Sequence, residues 1–215
     1  MTTPFALWDL DRTLIRLEID IEDVKRWKTK IKARLAPLGW DGWLSPMLPT
    51  LENALDTLQE THGERVAGLR ADLYRNLDDW EAQALQGLTP IHHGIEHLCA
   101  LAERDTPLAL VTNNGKPAAD KALRALDEYA ASQGWTPPSW RAQVFRTHHR
   151  PSKPAPDMLA FALQTMGYDG HSPALMFGDS DSDRFSAQAL AGSGVPIKFV
   201  DVRSLPLQST GGWVR

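Results

Sequence analysis

Five short runs, apolar or rich in β-forming residues, constrain this chain more than any other feature: Phe5–Trp8, Leu108–Val111 and the stretches 142–145, 174–177 and 197–200. Each has the length and composition of a strand. Helical periodicity separates the later ones. Ile95, Leu98 and Ala102 recur at helical spacing before Leu108, and Leu123 and Leu126 sit within a helical stretch over 118–131. Residues 158–166 precede the fourth run, and 184–191 follow it. Strands alternating with helices predict an α/β fold, a parallel sheet covered on both faces. At 215 residues there is room for one large domain, or for a domain carrying a sizeable insert.

The insert lies between Ile15 and Leu88, where no run reads as a strand. Ile21, Val24, Trp27, Ile31 and Leu35 form one helical stripe, ended by Pro37 and Gly39. Thr50 reads as the N-cap of a second helix carrying Leu51, Ala54, Leu55 and Leu58, with Gly63 at its end. Val66, Leu69, Leu73 and Leu77 make a third stripe, and Asp78 or Asp79 reads as the cap of a short fourth helix around Trp80. The predicted organisation is a core from 1–15 and 90–215 with a helical cap over 16–89. Hinges at 16–18 and 87–90 would let that cap fold back as a lid.

Composition narrows the function classes. Hydrophobic residues make up 42% and charged residues 23%, as in an ordinary globular protein. A formal charge of −4 argues against general nucleic-acid binding, which needs a basic surface. Cys99 is the only cysteine, so an intrachain disulfide and a cysteine zinc cluster are both excluded. No basic segment followed by a long apolar stretch opens the chain, and no apolar run approaches the roughly 18 residues of a membrane span. The expectation is a soluble cytoplasmic protein with no membrane partner. The eight tryptophans read as core and cap packing rather than as a stacking surface.

In an open parallel sheet, ligands bind beyond the carboxyl ends of the strands. The first run ends in Asp9-Leu10-Asp11, the second in Thr112-Asn113-Asn114-Gly115, and the fourth in Gly178-Asp179-Ser180-Asp181-Ser182-Asp183. Ser152-Lys153-Pro154 stands at the start of a helix between the last two. Buried carboxylates need a cation or a partner. If the substrate is a phosphomonoester, each part has a task. Asp9 and Asp179 can supply carboxylates to Mg²⁺, which takes oxygen ligands in octahedral geometry. Lys153 adds a second positive charge. Thr112 offers a hydroxyl, and the amides near Asn113 and Asn114 open toward a helix N-terminus that suits an anion. Asp11 can protonate the leaving oxygen and then deprotonate the attacking water. An aspartyl-phosphate intermediate would divide the reaction into two easier steps.

These residues resemble the haloacid dehalogenase-like hydrolase superfamily. Asp9-Leu10-Asp11-Arg12-Thr13 is similar to its Asp-x-Asp-x-Thr motif, Thr112 to its second motif, Lys153-Pro154 to its third, and Gly178-Asp179 with Asp183 to its fourth. The segments 107–114 and 152–158 resemble the phosphoglycolate-phosphatase-type subgroup, with a helical cap between the first two motifs. The resemblance implies a Rossmann-like core. It makes Asp9 the nucleophile and a metal ligand, and Asp11 the acid/base with its backbone carbonyl on the metal. Thr112, Asn113 and Lys153 hold the phosphoryl group, Asp179 is a ligand, and Asp183 is a ligand or its direct support. It also implies a small phosphorylated metabolite as substrate. One departure is Arg12, where many members carry glycine.

Competing readings are weaker. An EF-hand loop starting at Asp179 would need glycine at its sixth position and glutamate at its twelfth, where Arg184 and Leu190 stand. A receiver domain places its lysine after the last strand, whereas Lys153 precedes Gly178. A phosphomutase shares the intermediate and the motifs. A dehalogenase needs neither Asp11 nor a metal. A non-catalytic phospholigand-binding protein would be expected to have lost a catalytic residue, and none is lost. His92, His93 and His97 lack an evident third ligand, and His148 and His149 read as structural or solvated. The basic run Lys25, Arg26, Lys28, Lys30, Lys32 and Arg34 reads as a solvated helix face.

Overall fold

The structure is a computed structural model and describes residues 3–206. In chain order the elements are β1 (Phe5–Trp8), β2 (Ile15–Ile19), α1 (Ile21–Leu35), α2 (Met47–His62), α3 (Glu64–Ala84), β3 (Leu85–Pro90) and α4 (His92–Ala102). They continue with β4 (Leu108–Val111), α5 (Lys116–Ser132), β5 (Ala142–Val144), α6 (Asp157–Thr165), β6 (Ala174–Gly178), α7 (Asp181–Gly192) and β7 (Ile197–Asp201).

The five strands expected from the sequence form one sheet in the order β5-β4-β1-β6-β7, with every pairing parallel. β1 is central, and its side chains alternate between two cores. Ala6 and Trp8 pack with Leu108, Leu110 and Phe177, against Ile95 and Leu98 of α4 and Ala122 and Leu126 of α5. The Trp8 and Phe177 rings stack at 4.1 Å. Leu7 faces the other way, into Ala109, Val111 and Met176, covered by Met158 and Leu159 of α6 and Ala187 of α7. Both faces of β1, β4 and β6 are covered, which is why these three strands are apolar at successive positions rather than alternating.

The stretch between β1 and α4 builds a third hydrophobic cluster of its own. Trp27, Ile31 and Leu35 of α1 meet Leu51 and Leu55 of α2 and Leu73 and Leu77 of α3. Trp80 stacks on Trp27 at 5.5 Å. A 3₁₀ turn at Ala36–Leu38 and Gly39, left-handed at φ 86°, end α1 where Pro37 and Gly39 indicate.

Three details of this region differ from the sequence reading. The segment does contain strands. β2 and β3 pair antiparallel from Ile15↔Pro90 to Ile19↔Leu85, so the proposed hinge segments 16–18 and 87–90 lie within a two-stranded ribbon. Its partners are about seventy residues apart and only Ile15 is fully buried, so neither half has the composition of a core strand. Next, the fourth short helix is absent, for α3 runs unbroken through Asp78, Asp79 and Trp80. The Asp78 carboxylate bonds to Arg146 rather than to a helix start. Finally, α2 begins at Met47 with Pro46 at its N-cap, which leaves Thr50 inside the first turn. Pro49 fits there because first-turn amides have no helical partner. Among the described residues, no helix is long and apolar enough to cross a membrane.

Candidate active site

The carboxyl ends of β1, β4 and β6 converge on a cavity of about 370 Å³. Asp9 follows β1 directly, and its amide still donates to Phe177 O at 2.9 Å, so the nearly buried side chain is held by the sheet itself. The chain then turns sharply, with Leu14 N and Ile15 N both donating to Leu10 O. Arg12 takes φ 61° in this turn. Glycine adopts that left-handed conformation freely, whereas Arg12 holds it at a cost of about 1 kcal/mol.

Lys153 is the electrostatic centre. It is buried, and its Nζ donates to Asp9 Oδ1 at 2.6 Å, Asp183 Oδ1 at 2.6 Å and Val111 O at 2.8 Å. All three of its protons are therefore used. Asp183 is fixed twice over. Its Oδ2 accepts from Ser180 N and Ser180 Oγ, and its own amide donates to Ser180 Oγ, a capping box that starts α7. Gly178 is required beside it, since a Cβ there would lie 2.6 Å from the Asp183 carboxylate.

Carboxylate oxygens of Asp9, Asp179 and Asp183 lie within 4.8 Å of one another, and one ammonium cannot balance three charges. Burial, aided by Asp183 and only partly offset by Lys153, pushes the Asp9 carboxyl up to about 7. Burial, with Asp183 beside it, raises Asp179 too. Burial alone would lower Lys153, but Asp183 and Asp9 hold it above its ordinary value. An all-oxygen donor set with unbalanced negative charge can hold a hard divalent cation, and its residues fit one.

Asp11 stands apart from this trio. Its Oδ1 accepts from Leu17 N of β2 at 2.9 Å, which ties it to the ribbon, and burial raises its carboxyl. Thr112 is fully buried, and its hydroxyl donates to Asn114 Oδ1 at 2.6 Å while accepting from Asn114 N at 3.1 Å. Asn113 clamps the lysine loop. Its Nδ2 donates to Lys153 O at 2.8 Å and its Oδ1 accepts from Lys153 N at 2.9 Å. Asn113 thus lines the cavity together with Lys153, whereas the Thr112 side chain lies behind the wall.

Several cavity residues escaped the sequence reading. Glu81 of α3 and Arg146, just past β5, both line it, as does Ser182, whose hydroxyl oxygen is buried without a hydrogen-bond partner. Arg146 had a usable signal, because it follows a predicted strand exactly as Asp9 and Thr112 do. Glu81 had none. Met47 and Leu48 of α2 complete the apolar part of the wall. The histidines lie elsewhere. His148 and His149, rings 3.6 Å apart, line a second cavity with Glu52, Arg70 and Tyr74. His97 Nδ1 donates to His93 O at 2.9 Å. The basic face of α1 does not reach the cavity.

An α/β sheet with a carboxylate–lysine cluster at the carboxyl ends of its strands defines the class. Within it, the haloacid dehalogenase-like hydrolase family model matches residues 2–190, and the chain belongs to that family of hydrolases. Among solved structures, CbbY from Rhodobacter sphaeroides in complex with phosphate is similar at 18% identity and a TM-score of 0.55, over 88% of this chain and 84% of that one. A candidate phosphoglycolate phosphatase from Lactobacillus plantarum is similar at 20% identity and a TM-score of 0.50, over 93% and 86%. A phosphonoacetaldehyde hydrolase-like protein from Oleispira antarctica is similar at 16% identity and a TM-score of 0.52, over 92% and 71%. At such identities the likeness speaks to the fold. No match was found among curated proteins.

Proposed function

We propose that this hydrolase is a Mg²⁺-dependent phosphatase acting on a small phosphomonoester through an aspartyl-phosphate on Asp9. One observation carries the reading: Lys153 bridges Asp9 and Asp183 at 2.6 Å each, with Asp179 beside them on the cavity floor. Asp9, Asp179, Asp183 and the Asp11 backbone carbonyl would hold the ion. When bound, Mg²⁺ supplies positive charge between the attacking carboxylate and the phosphoryl oxygens.

The chain's own residues do the rest. An Asp9 carboxylate oxygen attacks phosphorus as the ester P–O bond breaks, and Asp11 gives its proton to the departing oxygen. Asp11 then takes a proton from the water that attacks the acyl phosphate, which frees phosphate and restores Asp9. Lys153 neutralises charge on the transferring group, and Asn113 keeps Lys153 in place. Thr112, behind the wall, would act on the phosphoryl group through Asn114, whose Oδ1 accepts its hydroxyl proton at 2.6 Å.

The division into a core, 1–15 and 90–215, and a cap, 16–89, belongs to the same reading. The separate hydrophobic cluster of α1–α3 supports it, as do Met47, Leu48 and Glu81 in the cavity wall. The phosphate bound by CbbY and the name of the Lactobacillus plantarum protein agree with a phosphorylated ligand. The test is a phosphate-release screen over phosphorylated metabolites, with and without Mg²⁺. Release that needs Mg²⁺ and is lost in Asp9→Asn is expected. Release that survives Asp9→Asn would remove the covalent mechanism.

A further inference from the structure

The helix that follows Thr112 has an unusual N-terminus. Gly115 is the N-cap of α5 and has no side chain to satisfy the first free amides. A residue 34 positions earlier satisfies one of them instead. Glu81 of α3 accepts from Gly115 N at 2.7 Å through Oε2, and from Asn114 Nδ2 at 2.8 Å through Oε1. Asn114 Oδ1 in turn accepts the Thr112 hydroxyl proton at 2.6 Å. Thr112 and Asn114 of the phosphate-facing loop are therefore chained to one carboxylate on the helical insert.

That carboxylate is itself locked. Arg146 is buried, and its guanidinium donates to Glu81 Oε2 at 3.1 Å, to Asp78 Oδ1 at 2.6 Å and to Asn113 O at 2.9 Å. Asp78 and Glu81 are one turn apart on α3, so they present both acids to Arg146 on one helix face. Gly115 permits the close approach, because a Cβ there would run into Asp78 Oδ1 and lie 2.9 Å from the Arg146 guanidinium. Lys121 of α5 adds a hydrogen bond to Ala82 O at 2.6 Å. A buried arginine shared by two acids is costly to break one partner at a time, which makes the contact all-or-none.

We propose that Glu81 is a positioning residue for the 112–115 loop and that Asp78 and Arg146 lock it there, so that the loop takes its anion-binding geometry only when α3 is docked. What the loop binds rests on the phosphatase reading above; the dependence of loop on helix does not. Docking of the insert and ordering of the phosphate loop are then a single event, and a substrate that binds the ordered loop favours the closed arrangement.

Full-length protein carrying Glu81→Gln or Glu81→Ala tests this against wild type and against Glu64→Gln, at an exposed position on the same helix. Hydrogen exchange without ligand is expected to quicken at least tenfold in peptides covering 112–118 while β4 is unchanged. Calorimetry with inorganic phosphate and Mg²⁺ is expected to show at least fivefold weaker binding. In turnover, KM is expected to rise by a similar factor with kcat within threefold. Glu64→Gln should match wild type throughout. Unchanged exchange, or faster exchange with wild-type phosphate affinity, overturns the proposal. If Glu81→Ala does not fold, Glu81→Gln and Asp78→Asn carry the test, the latter expected to shift both readouts the same way by less. A wild type that binds phosphate in a Glu81-dependent way yet hydrolyses no phosphomonoester upholds this inference and removes the phosphatase reading. A wild type that hydrolyses while both Glu81 variants bind phosphate normally does the reverse. A wild type that binds no phosphate overturns both.

Discussion

Lys153→Met asks how much of the site's energy rests on one ammonium. Methionine fills much of the same volume without charge, so packing changes little while electrostatics change greatly. The wild-type ammonium makes three buried hydrogen bonds, two of them to carboxylates at 2.6 Å. Removing one partner of a buried ion pair typically costs about 3–5 kcal/mol, because the other charge is left without compensation. Against a total stability of roughly 5–15 kcal/mol, that is a large share. For a chain of this size it corresponds to a fall in Tm of about 6–20 °C. The pH dependence has a definite sign. Burial already raises Asp9 to about 7 despite Lys153, and losing Lys153 raises it further. A carboxyl whose folded pKa lies above its unfolded value destabilises the fold fully above the folded pKa. That penalty fades as pH falls toward the ordinary carboxylate range near ~4. The gap between wild type and variant should therefore be widest near pH 8 and should narrow on acidification through 7 and below. Urea unfolding in EDTA across that range measures it. A loss under about 1 kcal/mol at pH 8, or a gap that widens in acid, would refute the central electrostatic role given to Lys153.

Asp11→Asn should slow turnover severely but leave attack by Asp9 possible, so intact-protein mass should reveal a phosphorylated chain that wild type does not accumulate; a variant with near-normal turnover contradicts the acid/base role. Chelation should abolish phosphate release, and Mg²⁺ should restore it better than Ca²⁺, whose looser and higher coordination spoils in-line geometry; full activity after exhaustive chelation contradicts the roles of Asp9 and Asp179. Gly178→Ala should displace the Asp183 carboxylate from its 2.6 Å clash, lowering stability by about 1–3 kcal/mol and weakening Mg²⁺ binding at least tenfold in calorimetry. Charge reversal at Lys25, Lys28 or Lys32 should leave KM and its salt dependence unchanged, since that face of α1 does not line the cavity; a raised KM would instead make it a substrate-steering surface.

The sheet was legible because its three inner strands are covered on both faces, and that burial writes itself into consecutive apolar residues such as Ala6, Leu7 and Trp8. Asp9, Lys153, Asp179 and Asp183 were legible for a related reason: charged residues where a buried strand or a tight loop ends need a purpose, and the ends of parallel strands share one edge. The β2/β3 ribbon was not legible, because its stability comes from pairing across about seventy residues rather than from the composition of either half. Nor could composition separate Glu81 from any solvated glutamate. Its position on α3 is ordinary, and only the packing of that helix onto α5 turns it from a surface acid into the cap of a distant helix. Thr112 makes the same point in reverse, for its place at a strand end was readable but the turn of its hydroxyl toward Asn114 was not. Local sequence determines which apolar runs form the sheet and where those strands stop. The partners of a buried charge are chosen by elements that meet only in three dimensions, since the pairing energy depends on distances between them that no local pattern encodes.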